Sequence, residues 1–142
     1  MTVAAVVEQA GRFLLVEEET DDGLRYNQPA GHLDPGESLI AAVQRETVEE
    51  TAHGFEPRAL IGIYHHQVPA GPAYIRFTFC GELGKHYEDH ALDTGIVRTV
   101  WMTRDEIRAS AAHHRTPLVA RCVEDYLAGH RYPLELLRGG LG

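Results

Sequence analysis

The chain has 142 residues, a hydrophobic content of 44% and a formal net charge of −8. This length suits a single domain with one sizeable core, expected to span residues 1–142. The hydrophobic content excludes a disordered chain, and no apolar run approaches the roughly 18 residues of a membrane span. Residues 17–50 carry the whole acidic excess, which argues against binding of long nucleic acids.

The cysteines, the N-terminus and the single lysine indicate the cellular compartment and exclude one class of nucleotide-binding site. Cys80 and Cys122 form no close pair, and no basic segment precedes the short apolar run at the N-terminus. Both features are typical of a reduced, cytoplasmic protein without a signal peptide. The one lysine, Lys85, lies outside any Walker A pattern, so a P-loop is excluded.

The hydrophobic pattern predicts strands in both halves of the chain. The predicted strands are Thr2–Glu8, Phe13–Glu17, the short extended segment Tyr26–Ala30, Arg58–Gln67, Ala73–Gly81 and Ile96–Met102. Loops are predicted where polar residues, glycine and proline cluster. These loops are Glu18–Leu24, Gly31–Glu37 and His86–Thr94.

Capping signals predict helices after the first strands and near the C-terminus. The start signals are Ser38, the capping box of Thr103 and Glu106, and Thr116 with Pro117 in the first turn. The first helix is expected to run to about Ala52, with Gly54 ending it in the left-handed conformation, and the last to end near Gly129. The element order indicates an α+β protein, an α/β/α sandwich with a mixed sheet between helices.

One face of the first predicted helix gathers carboxylates. At about 100° per residue, Glu46, Glu49 and Glu50 fall within an arc of about 100°. Like charges at this spacing repel one another, and oxygen ligands of this kind suit magnesium or manganese. A glutamate-rich helix face is usually just solvated, so the surrounding residues decide between the two interpretations.

The surrounding spacing favours a metal site. Arg45 can pair with Glu49 along the helix and with Glu37 in the preceding loop. Gly31 opens that loop, and without a side chain its backbone can approach a metal or phosphate closely. The full pattern, G-x5-E-x7-R-E-x-x-E-E, is too specific for a solvated helix face. The remaining acids, within Glu17–Asp22, are expected to form a solvated hairpin end.

The segment GHLDPGESLIAAVQRETVEETAHGF resembles the Nudix box, the signature of hydrolases that act on nucleoside diphosphates linked to another group. Further segments resemble the NudJ-type phosphatase subgroup and extend the likeness over nearly the whole chain: YNQPAGHLDPGE, YIRF, TPLVA and RYPLE. The resemblance implies an α/β/α sandwich and a metal-dependent phosphohydrolase. Thr47 and Ala52 depart from the box, standing where a bulky aliphatic residue and a glycine are usual.

The resemblance assigns roles to the matching positions. The positions of the metal ligands for Mg²⁺ or Mn²⁺ are Glu46, Glu49, Glu50 and the carbonyl of Gly31. The positions of the ion pair that orients loop and helix are Glu37 and Arg45. The general base is left open: either Glu49 or Glu46 lies near the attacking water, or a loop acid takes this role. The candidates for this loop acid are Asp93 and, with less support, Glu88. The alternative is that both side chains are simply solvated.

Six residues are candidate substrate contacts. Arg76, on a predicted strand, offers a guanidinium for bidentate binding of phosphate, although a surface ion pair is an equally good interpretation. Tyr26 and Tyr74 offer rings that can stack on a heterocycle. The residues beside the Gly31 loop complete the set: Asn27, Gln28 and His32.

The NudJ-type resemblance implies hydrolysis of nucleoside tri- and diphosphates, with release of orthophosphate. It also implies action on hydroxymethylpyrimidine pyrophosphate and thiamine pyrophosphate. The alternative within the enzyme class is an ADP-ribose or dinucleotide pyrophosphatase. RNA decapping would need a basic path for RNA, which the arginine pattern does not support.

Two further alternatives are disfavoured. A non-catalytic nucleotide-binding module would be expected to lose box carboxylates, and all of them are present. Zinc binding is disfavoured because the pairs His65-His66 and His113-His114 place adjacent side chains in diverging directions.

The expected partner is a small phosphorylated substrate, not a membrane, and the chain is expected to be a monomer or a homodimer.

Overall fold

The computed structural model describes residues 1–139. Its strands are β1 (Thr2–Val6), β2 (Glu8–Gln9), β3 (Arg12–Thr20), β4 (Gly23–Asn27), β5 (Ala30–His32), β6 (His53–Gln67), β7 (Ala73–His86) and β8 (Ile96–Thr103). Its helices are α1 (Leu39–Thr51), α2 (Arg104–Ala109) and α3 (Leu118–Leu127), with 3₁₀ turns at Ala111–His113 and Leu134–Leu136. No helix within this range has both the length and the apolar character needed to cross a membrane.

The strands form two four-stranded sheets. The first has the order β5-β1-β7-β6, and it is mixed because β1 runs parallel to β7 but antiparallel to β5. In the second, β3 pairs antiparallel with β2, β4 and β8. The predicted mixed sheet is therefore confirmed, with the remaining strands forming a separate antiparallel sheet.

Helices pack on both sides of the sheets and create two apolar clusters. On one side, Ala42 of α1 packs with Phe79 of β7. On the other side, Ile107 of α2 and Val119 of α3 pack with Phe13 of β3. The predicted α+β class with an α/β/α arrangement is confirmed.

Helix α1 has a defined cap at each end. Ser38 Oγ accepts a hydrogen bond from the Ala41 amide at 3.0 Å, as predicted. Ala52 is the left-handed residue, with φ of 57°, so the prediction that Gly54 ends the helix is wrong and Gly54 belongs to β6. Thr47 is fully buried, and its hydroxyl donates to a backbone carbonyl one turn earlier at 2.7 Å.

The β3–β4 hairpin is longer than predicted. The loop predicted over Glu18–Leu24 is wrong, because β3 continues to Thr20 and β4 begins at Gly23. The predicted solvated hairpin end is also wrong for Glu17 and Glu18, whose side chains are only 13% and 14% exposed and pair with arginines at 3.0 Å. Acidic residues can thus occupy a half-buried strand when arginines that are distant in the sequence form ion pairs with them.

The β6–β7 hairpin also extends beyond the predicted strands, Arg58–Gln67 and Ala73–Gly81. β6 begins at His53 and β7 continues to His86, and these two residues pair at the end of the ladder. Their rings stack with centroids 4.4 Å apart. No hydrophobic alternation marks this extension, because its residues are mostly polar or glycine.

The predictions for the C-terminal helices are mostly accurate. Thr103 and Glu106 form the reciprocal hydrogen bonds of a capping box at α2. Thr116 Oγ1 accepts a bond from the first amide of α3 at 3.2 Å, although Pro117 is the cap position and lies outside the first turn. Gly129 follows the end of α3 with φ of 90°.

The tight pairing of β6 and β7 makes a prediction about two glycines of β7. A Cβ at Gly81 would collide with the backbone carbonyl of Glu56, whereas one at Gly84 would have no heavy atom closer than 3.5 Å. We expect Gly81→Ala to lower the free energy of unfolding by about 1–3 kcal/mol, and Gly84→Ala to leave it nearly unchanged. Urea denaturation of both variants checks this, and equal stability of the two would contradict the packing described.

Candidate active site

Arg45 lies at the centre of a group of carboxylates on α1 and the loop before it. Its Nε and Nη2 donate to the two carboxylate oxygens of Glu37 at 2.7 and 2.9 Å. Its Nη1 donates to Glu46 at 2.8 Å and to Glu49 at 3.1 Å. Nη2 also donates to the carbonyl of His32 at 3.0 Å. One planar guanidinium therefore fixes the loop, the helix and β5 relative to one another.

These contacts shift the pKa of the paired groups. The hydrogen bond from Arg45 holds the pKa of Glu37 below its ordinary value. The same bond to Glu37 raises the pKa of Arg45, which therefore stays charged. Burial raises the pKa of Glu46, although Arg45 opposes this effect. Glu46 is thus a carboxylate whose charge is only partly compensated.

Glu50 is buried and lacks a cation. It is 8% exposed, and its Oε1 accepts a hydrogen bond from the Ala30 amide at 2.9 Å. Within residues 1–139, no arginine, lysine or histidine forms an ion pair with it, because Arg45 is engaged by its neighbours. Burial raises the pKa of Glu50 to about 8, and the nearby Glu46 adds to the shift while the Ala30 amide opposes it. A bound cation would favour the ionised form.

Gly31 lies directly against the acidic cluster. The prediction that it opens a loop is wrong, because it is the middle residue of β5 and pairs with Val3 of β1. A Cβ at this position would collide with the carboxyl group of Glu46. The Gly31 backbone was expected to approach a metal or phosphate closely. In the structure it lies against the carboxylate of Glu46.

Asp93 joins the carboxylates of α1 from a distant loop. One carboxylate oxygen from each of Glu46, Glu49 and Asp93 lies within 4.8 Å of the other two. The loop is tied to the C-terminal end of α1 by two backbone hydrogen bonds. The Asp93 amide donates to the Glu49 carbonyl at 2.9 Å, and the Tyr87 amide donates to the Ala52 carbonyl at 2.8 Å. These bonds satisfy carbonyls that a helix end leaves free. They also hold the Asp93 carboxylate beside those of Glu46 and Glu49. Glu88 is not part of the group.

The donor set fits a hard divalent cation. Carboxylate oxygens are the ligands that Mg²⁺ and Mn²⁺ prefer. Three of them converge here beside Glu50, a buried acid without a cationic partner in the described chain. Elsewhere in residues 1–139, no other three His, Cys, Asp or Glu side chains converge in this way. The two adjacent histidine pairs are not part of such a group within this range.

A cavity of about 420 Å³ opens beside Gly31, a size that suits a small ligand. Four of the predicted substrate residues line it: Asn27, His32, Tyr74 and Arg76. The rings of His32 and Tyr74 are neighbours, with centroids 6.3 Å apart. The cavity thus combines aromatic surface with a cationic wall next to the carboxylate cluster.

Arg76 is a buried cation without an acidic partner in the described chain. It is 4% exposed, so the alternative of a surface ion pair is excluded. Its Nη2 donates to Asn27 Oδ1 at 2.9 Å and its Nη1 to Gln28 Oε1 at 3.3 Å. Burial lowers the pKa of this guanidinium. Because a buried charge without a counter-ion is costly, an anion in the cavity would stabilise it.

Two predicted substrate residues do not line the cavity. Gln28 is 1% exposed, and its Nε2 donates to the Val119 carbonyl at 2.8 Å, so it holds Arg76 in place instead. Tyr26 packs against the apolar cluster that includes Val119 of α3. Conversely, Glu18 and Arg115 line the cavity and were missed, because these residues lie 97 positions apart and no local pattern links them.

Comparison with known proteins identifies the family. The model of the NUDIX domain matches residues 1–122. A NUDIX hydrolase from Nitrosomonas europaea is 55% identical, with a TM-score of 0.94, and the match covers 97% of this chain and 95% of that chain. Phosphatase NudJ of Escherichia coli K12 is 38% identical over 137 residues, 96% of this chain and 89% of the relative. An ADP-ribose pyrophosphatase from Streptococcus suis, with 17% identity, a TM-score of 0.68 and coverage of 92% and 93%, shares the fold.

The chain therefore belongs to the Nudix family and is a Nudix phosphohydrolase. Within that family it is a homologue of phosphatase NudJ over most of its length. The resemblance predicted from the box and its flanking segments is confirmed.

The position of Asp93 yields a test with a control in the same loop. We expect Asp93→Asn to raise the Mg²⁺ concentration needed for half-maximal activity by about tenfold or more, because one oxygen ligand loses its charge. The backbone bond from residue 93 to α1 is kept. Glu88→Gln removes a charge from the same loop outside the cluster and should leave the Mg²⁺ dependence unchanged. Identical Mg²⁺ curves for both variants would show that Asp93 takes no part.

Proposed function

We propose that this protein is a Mg²⁺-dependent phosphatase of small diphosphate and triphosphate compounds. Water attacks the terminal phosphorus, the bond to the bridging oxygen breaks, and orthophosphate is released. Nucleoside tri- and diphosphates are the proposed substrates, together with hydroxymethylpyrimidine pyrophosphate and thiamine pyrophosphate. The observation that carries the proposal is the convergence of the box carboxylates with Asp93 beside the cavity, in a chain homologous to phosphatase NudJ.

Four carboxylates would hold the metal in this proposal: Glu46, Glu49, Glu50 and Asp93. The carbonyl of Gly31 is a fifth candidate, because its strand lies against Glu46. A bound Mg²⁺ or Mn²⁺ supplies charge neutralisation at the phosphate oxygens and lowers the pKa of water. Glu37 and Arg45 do not contact substrate in this scheme and instead hold the ligands in position.

Glu49 is the proposed general base. Its side chain is 32% exposed, against 11% for Glu46, so it is the more accessible of the two acids to an attacking water. Arg45 Nη1 binds its Oε2 at 3.1 Å, which leaves Oε1 to accept a proton. Glu46 is more enclosed and is better suited to act only as a metal ligand.

The cavity provides the contacts for the substrate. The guanidinium of Arg76 faces it from a buried position, and a phosphate would supply the negative charge that this residue lacks. Tyr74 and His32 offer aromatic surface to a heterocycle. Because a bound cation inverts the local sign of charge, an acidic protein can bind small polyanions there while repelling long nucleic acids. We further propose that the protein acts in the cytoplasm as a monomer or a homodimer.

The proposal predicts which phosphorus is attacked. In ¹⁸O-labelled water with Mg²⁺, GDP should yield labelled orthophosphate and unlabelled GMP, and thiamine pyrophosphate should likewise yield labelled orthophosphate. Mass spectrometry of the products measures this. Cleavage confined to ADP-ribose, with AMP as product, would instead support the pyrophosphatase alternative and contradict the proposal.

Glutamate variants test the proposed machinery. Glu49→Gln and Glu50→Gln should each lower kcat by about a hundredfold or more, since one removes the base and the other a buried ligand. Glu56→Gln, on the exposed side of β6, is the matched control and should keep full activity. If both box variants retained wild-type turnover with Mg²⁺, the proposed mechanism would be wrong.

A further inference from the structure

Among the described residues, Glu18 is the one acidic side chain that lines the cavity beside Gly31. Its neighbours there include two arginines, Arg76 and Arg115, which donate hydrogen bonds and carry positive charge. Such donors suit phosphate oxygens, whereas a carboxylate repels them. The presence of an acid on this wall therefore needs an explanation other than phosphate binding.

One oxygen of Glu18 is held and the other is available. Arg115 Nη1 donates to Oε1 at 3.0 Å, and the Glu18 side chain is 14% exposed. Within residues 1–139, no group donates a hydrogen bond to Oε2. The carboxylate is therefore fixed by its partner yet keeps one acceptor free toward the cavity.

Glu17 shows what a purely structural acid looks like at the same place. It precedes Glu18 on β3, its side chain is 13% exposed, and it pairs with Arg98 at 3.0 Å. Its side chain points to the other face of the strand, as alternation requires, and it does not line the cavity. The two glutamates thus match in burial and pairing but differ in access to a ligand.

Glu18 also carries an electrostatic cost. Its charge adds to the repulsion that raises the pKa of Glu50, although it also favours the charged form of the buried Arg76. A further anion at the edge of a site that must accept a polyanion weakens binding unless the substrate donates a hydrogen bond to it. Ribose hydroxyls and heterocycle N–H groups can both do so, but only the N–H groups are shared by nucleotides and the two proposed pyrimidine pyrophosphates.

We propose that Glu18 is a specificity-determining residue, whose free carboxylate oxygen accepts a hydrogen bond from an amino group on the heterocycle of the substrate. The inference rests on the proposed function, because it takes the cavity as the substrate site. Arg115 acts as a positioning residue that orients the carboxylate. The enzyme then selects amino-heterocycles over analogues that lack the amine, and the selection is independent of the phosphate chemistry.

GDP and IDP test this, because they differ by the exocyclic amine alone. Binding of each is measured by calorimetry, and hydrolysis by release of orthophosphate, for wild type, Glu18→Gln and Glu17→Gln. We expect wild type and Glu17→Gln to bind GDP about tenfold more tightly than IDP. Glu18→Gln should lose affinity for GDP and bind the two nucleotides about equally. Glu18→Asp keeps the charge but shortens the side chain, and should show an intermediate preference.

Several results would overturn the inference. These are equal affinity of the wild type for GDP and IDP, no binding of either, or an equal loss for both nucleotides in Glu18→Gln, which indicates a structural role. Failure of the proposed function would look different, because nucleotides would bind with the amine preference while no orthophosphate was released. Thermal denaturation of the variants establishes that each is folded.

Discussion

The hydrogen bonds of Arg45 are the constraint on which the rest of the site depends. A helix with Glu46, Glu49 and Glu50 on one face is destabilised by repulsion unless positive charge is supplied. Arg45 supplies it to Glu46 and Glu49 and at the same time binds both oxygens of Glu37. Because a guanidinium is planar and carries several fixed donors, it sets positions as well as neutralising charge. The loop from β5 to α1 is thereby held against the helix.

The remaining features follow from this arrangement. With Arg45 fully engaged, Glu50 remains buried without a cationic partner in the described chain, and burial raises its pKa to about 8. The end of α1 offers free carbonyls, to which the Asp93 loop is tied, so that a further carboxylate reaches the cluster. Gly31 permits the close contact between β5 and Glu46 that a side chain would prevent. The site therefore gathers more carboxylates than the nearby positive charge can neutralise, beside a cavity lined by a buried arginine.

The features that depend on residues close together in the sequence could be predicted from it. The spacing from Gly31 to Glu50, the Ser38 cap and the capping box at Thr103 are short-range features, and they gave the box, the helix and the family. Glu18 and Gly54 show why the rest was missed. Glu18 looked solvated because its partner, Arg115, lies 97 residues away, and Gly54 looked like a helix end because glycine is the usual left-handed residue, a place that Ala52 takes instead. Arg76 was predicted as a substrate contact, but its burial could not be predicted, because its hydrogen-bond partners Gln28 and Asn27 lie 48 and 49 residues away in the sequence.

The most direct test of the role of Arg45 is the affinity for Mn²⁺, measured by calorimetry on Arg45→Lys. Lysine keeps the positive charge but cannot make the paired hydrogen bonds, so the account predicts Mn²⁺ affinity about 10–100-fold lower than that of the wild type. Arg121→Lys, in an exposed ion pair with Asp125 on α3, is the matched control and should bind Mn²⁺ as the wild type does. Unchanged Mn²⁺ affinity in Arg45→Lys would contradict the account, because charge alone would then suffice to organise the carboxylates.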